Sequence, residues 1–447
     1  MTNSIVMRRT FQEQLPLFYS TIPSHVLPTN ATTGRHPFHR WFNFVAGFSP
    51  EFVIECIRQA GLKSNGCIID PFAGCGTTNV EANLQGIRSV GFEAHIFLAE
   101  ICRSKLLADA DVAVIQEIYQ ELLEVKPRES ASQKYSVPAL TFLKKLIPDP
   151  PLSTLLSARE KVDGYKGQKF TFAYTILSKA LDLCSHSKTD GIYKAPTSKK
   201  SSLEYAESLQ SICNVIIEDL NFAHQNKIRN KARLLFQSSE DMSDIKNDMC
   251  DLLITSPPYL NNFDYAEMTR MYLYFWLHAA DWGEITDKIR SKLIVNTTTA
   301  LKGQKDKIGV YRAKTPSCVH EELDNYQKVL RENRKVKAGK KEYDFLIYPY
   351  FSQMTSVLNS AHSKLKPQAP AHIIVSDAAL YGVHIQTEKI LGAIMEDIGF
   401  MKVSIKKLRE RGTRWILNKR EGSKEGLGEF QITAYAGPKR KRVNHEL

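Results

Sequence analysis

Asp70-Pro71-Phe72-Ala73-Gly74-Cys75-Gly76-Thr77-Thr78 follows the apolar run Cys67-Ile68-Ile69 and leads into a helical pattern through Asn79 to Leu84. Strand, glycine-rich turn and helix in that order open a βαβ unit of a mostly parallel sheet. The glycines permit a tight turn and close backbone approach to a ligand. The free N–H groups that start the following helix suit an anion such as a carboxylate. Asn79 stands where a dinucleotide fingerprint needs its third glycine, and no GxxxxGK[ST] phosphate loop occurs anywhere in the chain.

Outward from this turn the βαβ rhythm continues in both directions. Upstream, EFVIECIRQAGL has helical periodicity. Downstream, SVGFE reads as the next strand and a helix begins near Ile96. Glu93 ends that strand one βα unit on, where an acidic side chain can accept hydrogen bonds from both ribose hydroxyls of an adenosyl group. A second block starts near residue 230, with ARLLF, CDLLIT, HIIVSD, KVSIKKL and FQITAY as expected strands. Residues 111 to 230 between the blocks are mixed and mostly helical, with a Pro-rich break at IPDPPL and a basic polar stretch, KTDGIYKAPTSKKSS. A second interruption, at about 285–345, carries the basic run RENRKVKAGKK.

Directly after CDLLIT comes Ser256-Pro257-Pro258-Tyr259, at the carboxyl end of a strand, where open α/β sheets bind their ligands. Two prolines stiffen the loop and remove two N–H donors, so carbonyl groups can face outward beside an aromatic ring. Such acceptors suit an amino group conjugated to a heterocycle, whose lone pair is delocalised into the ring. If Ser256 Oγ and the Pro257 carbonyl take its two hydrogens, the nitrogen becomes pyramidal and nucleophilic. Tyr259 would stack on a base that has left its duplex. Alone, the loop would more often be a Pro-rich turn capping a strand, with Tyr259 half buried; the strand before it and the glycine-rich turn reverse that balance.

Composition bounds the partners. The 447 residues carry a formal net charge of +12, which favours a polyanion. No stretch reaches the roughly 18 to 20 uncharged apolar residues of a membrane span, and the start, MTNSIVMRRTFQEQ, lacks the apolar core of a signal peptide. A cytoplasmic location without membrane contact is therefore expected. The eight cysteines are scattered with no CxxC pair, and no histidines cluster at metal-ligand spacing, so neither a disulfide framework nor a metal is expected. The absence of a Pro-Cys dipeptide argues against methylation at cytosine C5, which needs a cysteine nucleophile. Cys75 reads as a small buried side chain, His95, His186 and His372 as structural or solvated residues, and the tail Lys439 to Arg442 as a solvated basic terminus.

Together the two motifs resemble those of the DNA amino-methyltransferase family, whose cofactor motif reads DPFxGxGT and whose catalytic motif reads [DNS]PP[YFW]. The likeness extends to His36-Pro37-Phe38-His39-Arg40-Trp41 followed by Phe48-Ser49-Pro50, and downstream to KLKPQAPAHIIVSDAALYGVHI and EDIGF, about half of the chain. The resemblance implies an α/β, Rossmann-like fold with mostly helical inserts. Its sheet would have seven mostly parallel strands, one of them reversed near an edge. It implies S-adenosylmethionine held by His36, Phe38, Asp70, Pro71, Phe72, Gly74, Gly76, Thr77, Thr78 and Glu93, with Asp241 preferred over Ser239 beside the adenine. Ser256, Pro257, Pro258 and Tyr259 would hold a flipped base of double-stranded DNA.

Serine first in the catalytic motif is typical of cytosine-N4 enzymes, and aspartate or asparagine of adenine-N6 enzymes. The expected activity is therefore site-specific cytosine-N4 methylation by a monomer, paired with a restriction endonuclease. The cofactor motif precedes the catalytic motif here, unlike the commonest cytosine-N4 layout, which makes the long insert a candidate target-recognition region. The expected division is 1–110 for the N-terminal segment and cofactor half, 111–230 for that insert, 231–437 for the catalytic half, and 438–447 for a basic tail. Adenine-N6 methylation, methylation of an RNA amine, and a non-catalytic nucleic-acid-binding scaffold are the competing readings. The last would predict erosion of one motif, and both are intact.

Overall fold

The computed structural model describes residues 32–44, 47–190, 193–261, 263–301, 303–337, 341–411 and 426–439, with backbone alone for 188–190 and 193–199. The chain start, residues 338–340 near the end of the basic run, and the tail from residue 440 lie outside the described residues.

Eleven strands are described: β1 (Cys67–Asp70), β2 (Arg88–Phe92), β3 (Ser187–Asp190), β4 (Tyr193–Lys199), β5 (Ala232–Leu235), β6 (Leu252–Thr255), β7 (Pro370–Ser376), β8 (Ala378–Leu380), β9 (Val383–Ile385), β10 (Phe400–Glu410) and β11 (Gly428–Ala436). Seven form one sheet in the order β10-β11-β7-β6-β1-β2-β5. The pairs from β7 to β5 are parallel, while β11 runs antiparallel to both β7 and β10. All seven expected strands enter this sheet, and β11 is its reversed member. The result is an α/β fold with a mixed sheet and helical insertions.

The central strands are buried on both faces, which is why their sequences are continuous apolar runs. Side-chain alternation assigns Ile68, Leu252, Ile254 and Ile374 to the face covered by helix Pro50–Gln59. Ile69, Leu253, Ile373 and Val375 point the other way, into a core shared with helices Ile347–Lys364 and Thr387–Ile398. Ser49 starts the first of these helices by accepting Phe52 N–H at 3.2 Å, with Pro50 in its first turn.

Residues 111–230 form mainly helices, as expected, and their apolar faces join the same hydrophobic cluster as helix Ile96–Lys105. Leu143, Leu155, Phe172, Leu181 and Ile216 are buried there, so this insert shares the core of the sheet's helical layer. The exception is the stretch read only as basic and polar, which forms the antiparallel pair β3–β4. Lys439, expected to be solvated, donates to the Leu365 carbonyl at 2.7 Å and to that of His362, closing the carboxyl end of helix Ile347–Lys364. Among the described residues no helix is long and apolar enough to cross a membrane.

Candidate active site

From β1 the chain turns outward through β2 to β5, and on the other side β6 leads to β7, so the sheet order reverses between β1 and β6. A crevice opens at the carboxyl ends of strands at such a point. The glycine-rich turn leaves β1 there and the SPPY loop leaves β6. Asp70 joins them: its fully buried Oδ1 accepts Thr255 Oγ1–H at 2.7 Å and Phe72 N–H at 3.0 Å. Burial pushes its carboxyl up to about 6, against the pull of these donors.

The two glycines act differently. Gly76 has φ +87°, and a Cβ there would stand 2.6 Å from Cys102 Sγ, so it lets helix Thr77–Leu84 sit against helix Ile96–Lys105. Gly74, at φ +55°, has open space where a Cβ would be. Its N–H donates to Glu93 Oε2 at 2.8 Å, and His95 N–H donates to Glu93 Oε1 at 2.7 Å. Burial raises the Glu93 carboxyl to about 7, opposed by those two amides.

A cavity lies over these groups at the carboxyl ends of the strands. Pro71, Phe72, Gly74, Thr77 and Glu93 line it, together with Ser256 and Pro258. Asp70, Gly76, Thr78 and Pro257, expected beside the ligands, do not line it; Asp70 is fully buried beneath the two loops that it ties together. Ser256 Oγ–H donates to Tyr259 Oη at 3.4 Å, while Tyr350 Oη–H donates to the Pro258 carbonyl at 2.9 Å. The Pro257 carbonyl takes part in no hydrogen bond among the described residues.

Several expected residues stand elsewhere. Asp241 is exposed and does not line the cavity; its carboxylate accepts Ser243 N–H at 2.9 Å within its own turn. Ser239, the alternative, does line it, and its buried Oγ has no partner among the described residues. His36 pairs with Glu51 at 2.8 Å and Phe38 N–H donates to Asp219 at 2.8 Å, so both anchor their segment without lining the cavity. Asp219 also accepts Trp41 Nε1–H at 2.8 Å and Arg40 at 2.6 Å. Thr33, Phe42, Phe44 and Phe48 are the residues that this amino-terminal part presents to the cavity. Tyr259 is half-buried behind the loop rather than on the cavity wall, with the Arg411 guanidinium 5.7 Å from its ring centroid.

Some wall residues carried no sequence signal. Lys292, Leu293 and Ile294 come from the second insert. Asn296 from the same insert pins the segment that follows the SPPY motif, its Nδ2 donating to Phe263 O at 2.8 Å and its carbonyl accepting Asn261 N–H at 2.6 Å. His95, read as structural, lines the cavity; its Nε2 lies 2.8 Å from Thr269 Oγ1, and its Nδ1 has no partner among the described residues. Burial lowers its pKa to about 3, so it is neutral. Among the described residues no three His, Cys, Asp or Glu side chains are grouped to hold a metal.

The family described as DNA methylase, of the N6/N4 type, matches residues 19–104. The chain is 26% identical over 423 residues to the Type II methyltransferase M.BsoBI of Geobacillus stearothermophilus, covering 83% of this chain and 80% of that protein. It is 24% identical over 393 residues to the Type II methyltransferase M.AvaI of Anabaena variabilis, covering 81% and 79%. A shorter stretch of 76 residues is 36% identical to the Type II methyltransferase M2.DpnII of Streptococcus pneumoniae, covering 17% of this chain and 25% of that protein.

Proposed function

We propose that this chain, a member of the DNA methyltransferase family that modifies the exocyclic amine of adenine or cytosine, moves a methyl group from S-adenosylmethionine to cytosine N4 in specific sequences of double-stranded DNA. One observation carries the proposal: the glycine-rich turn and the SPPY loop leave neighbouring strands, are tied by the Asp70–Thr255 hydrogen bond, and line one cavity.

The residues fit such a cofactor. Glu93 offers a carboxylate at the end of β2, Gly74 leaves open space beside it, and the orphaned Ser239 Oγ and His95 Nδ1 await polar partners. Glu93 would accept from ribose hydroxyls, the start of helix Thr77–Leu84 would face a carboxylate, and Ser239 would stand beside the adenine in place of Asp241. The bound cofactor supplies an electrophilic methyl group on a sulfonium.

Ser256 Oγ, on the cavity wall, accepts one hydrogen of the target amine and turns its lone pair toward that methyl; the Pro257 carbonyl, set behind that wall and without a hydrogen-bond partner among the described residues, takes the second hydrogen when the loop meets the base. Alignment of nucleophile and methyl supplies most of the rate enhancement for an in-line displacement. The proton leaves the methylated nitrogen for water. A base reaches this pocket only by turning out of the duplex. Asp70, fully buried under the loops, positions them without touching either substrate.

The initial serine of the motif supports cytosine over adenine. The Type II designation of the relatives supports pairing with a restriction endonuclease, and we assign sequence recognition to the insert 111–230 of a monomeric enzyme. Nucleoside mass analysis after incubating the protein with unmethylated genomic DNA and labelled S-adenosylmethionine tests the base. N4-methylcytosine is expected; N6-methyladenine would overturn the base assignment and leave the mechanism standing.

A further inference from the structure

We infer that Glu429 is a positioning residue for the transfer, acting on Ser256 through Tyr259. The inference rests on the reading above, in which Ser256 accepts a hydrogen from the target amine.

Glu429 lies 170 positions from Tyr259 in the chain. It is the second residue of β11, paired with Ser376 at the end of β7. Because β11 is the reversed strand, its start lies at the edge where the parallel strands finish, beside the catalytic loop. The side chain is 6% exposed. Its Oε1 accepts the Tyr259 hydroxyl at 2.9 Å, and its Oε2 accepts Arg409 Nε–H at 2.7 Å.

The chain of donors has one direction. A hydroxyl carries a single proton. Tyr259 gives its proton to Glu429, so toward Ser256 its oxygen can only accept, and Ser256 Oγ–H points at it from 3.4 Å. The Ser256 lone pairs are then free for the cavity that this residue lines. A serine left to rotate could instead turn its proton toward the base and repel the amine's hydrogens. A carboxylate as terminal acceptor makes the tyrosine bond charge-assisted, and successive hydrogen bonds strengthen one another.

Other charged groups around this carboxylate are accounted for. Arg409 on β10 binds it directly. Arg411 stands over the Tyr259 ring and reaches Ser376 Oγ at 3.2 Å. Asp377, beyond β7, accepts Gly428 N–H at 2.8 Å and pairs with His384 at 2.7 Å. Burial and the neighbouring Glu429 charge hold the Tyr259 phenol well above its ordinary pKa, so it remains a donor.

The test is single-turnover methyl transfer from labelled S-adenosylmethionine to unmethylated plasmid DNA at saturating concentrations of both, for wild type, Tyr259→Phe, Glu429→Gln and the double variant. Cofactor affinity and melting temperature are measured on the same samples. Each single variant is expected to lose at least about tenfold in rate. The double variant should fall within about twofold of the slower single variant, because both break one chain. Cofactor affinity should stay within about threefold of wild type, and steady-state titration with DNA on the same samples should place the loss in kcat rather than KM.

A wild-type rate in Glu429→Gln, losses that multiply, or losses confined to KM would overturn the inference. Should Glu429→Gln not fold, Tyr259→Phe, which removes a single oxygen and keeps the ring, decides alone by losing or keeping its rate. A wild-type protein that binds cofactor and labels no base would overturn the functional reading itself. Labelling that persists unchanged in the variants would overturn only the role of Glu429.

Discussion

Glu93 makes the sharpest demand at the scale of single residues. Burial raises its carboxyl to about 7 in the free protein, and the ionised form is the better acceptor for two hydroxyl donors. Below pH 7 it is protonated, so binding must expel a proton. Cofactor affinity should therefore rise from pH 5.5 to about 7 and level off above, with proton release detectable by titration calorimetry in buffers of different ionisation enthalpy. The second demand separates Ser239 from Asp241. Ser239→Ala should weaken cofactor binding about fivefold, as expected for losing one polar contact, while Asp241→Ala should leave it unchanged, because that carboxylate only caps its own turn. Equal effects in an equilibrium binding assay would return the adenine contact to Asp241. Gly74 and Glu93 were legible because a backbone conformation and a charge are written in the residue type. Ser239 and Asp241 were not separable, since both suit the turn after β5 and only the fold decides which faces inward.

At the scale of elements, β1, β2, β6 and β7 were legible because central strands buried on both faces must be continuous apolar runs, while β5, β10 and β11, at or near the edges, were legible from short runs of apolar and β-branched residues. The expected segment around His36 and Phe38 does reach the cavity, but through Thr33, Phe42, Phe44 and Phe48. His36 and Phe38 serve instead as its anchors. Asp219, on helix Tyr205–Gln225, holds that segment by accepting from Phe38 N, Arg40 and Trp41 Nε1. Replacing it with alanine strands two buried donors, each at a cost of about 1–3 kcal/mol. Asp219→Ala should lower stability by about 3 kcal/mol in urea unfolding and weaken cofactor binding with it. Glu218→Ala, on the same helix and 64% exposed, should change stability by less than about 0.5 kcal/mol. Nothing local in the sequence marks Asp219, since its partners lie about 180 positions away.

Across the whole molecule, one cavity at the switch point of the sheet joins two motifs separated in the chain by the first insert. The sequence motifs sufficed to name both loops, and the parallel strands sufficed to bring them to one edge. What they could not supply is the support behind them: Asn296 from the second insert, Tyr350 on the helix after it, and Glu429 on the reversed strand. Those contacts depend on how distant elements pack, and no period or spacing records them. The central claim is that the two motifs serve one transfer, with binding on the glycine-rich side and alignment of the amine on the other. Ser256→Ala tests it most directly when cofactor affinity and labelled-methyl transfer to DNA are measured on one preparation. The account predicts wild-type affinity for S-adenosylmethionine with transfer reduced at least about a hundredfold; transfer at the wild-type rate would contradict it.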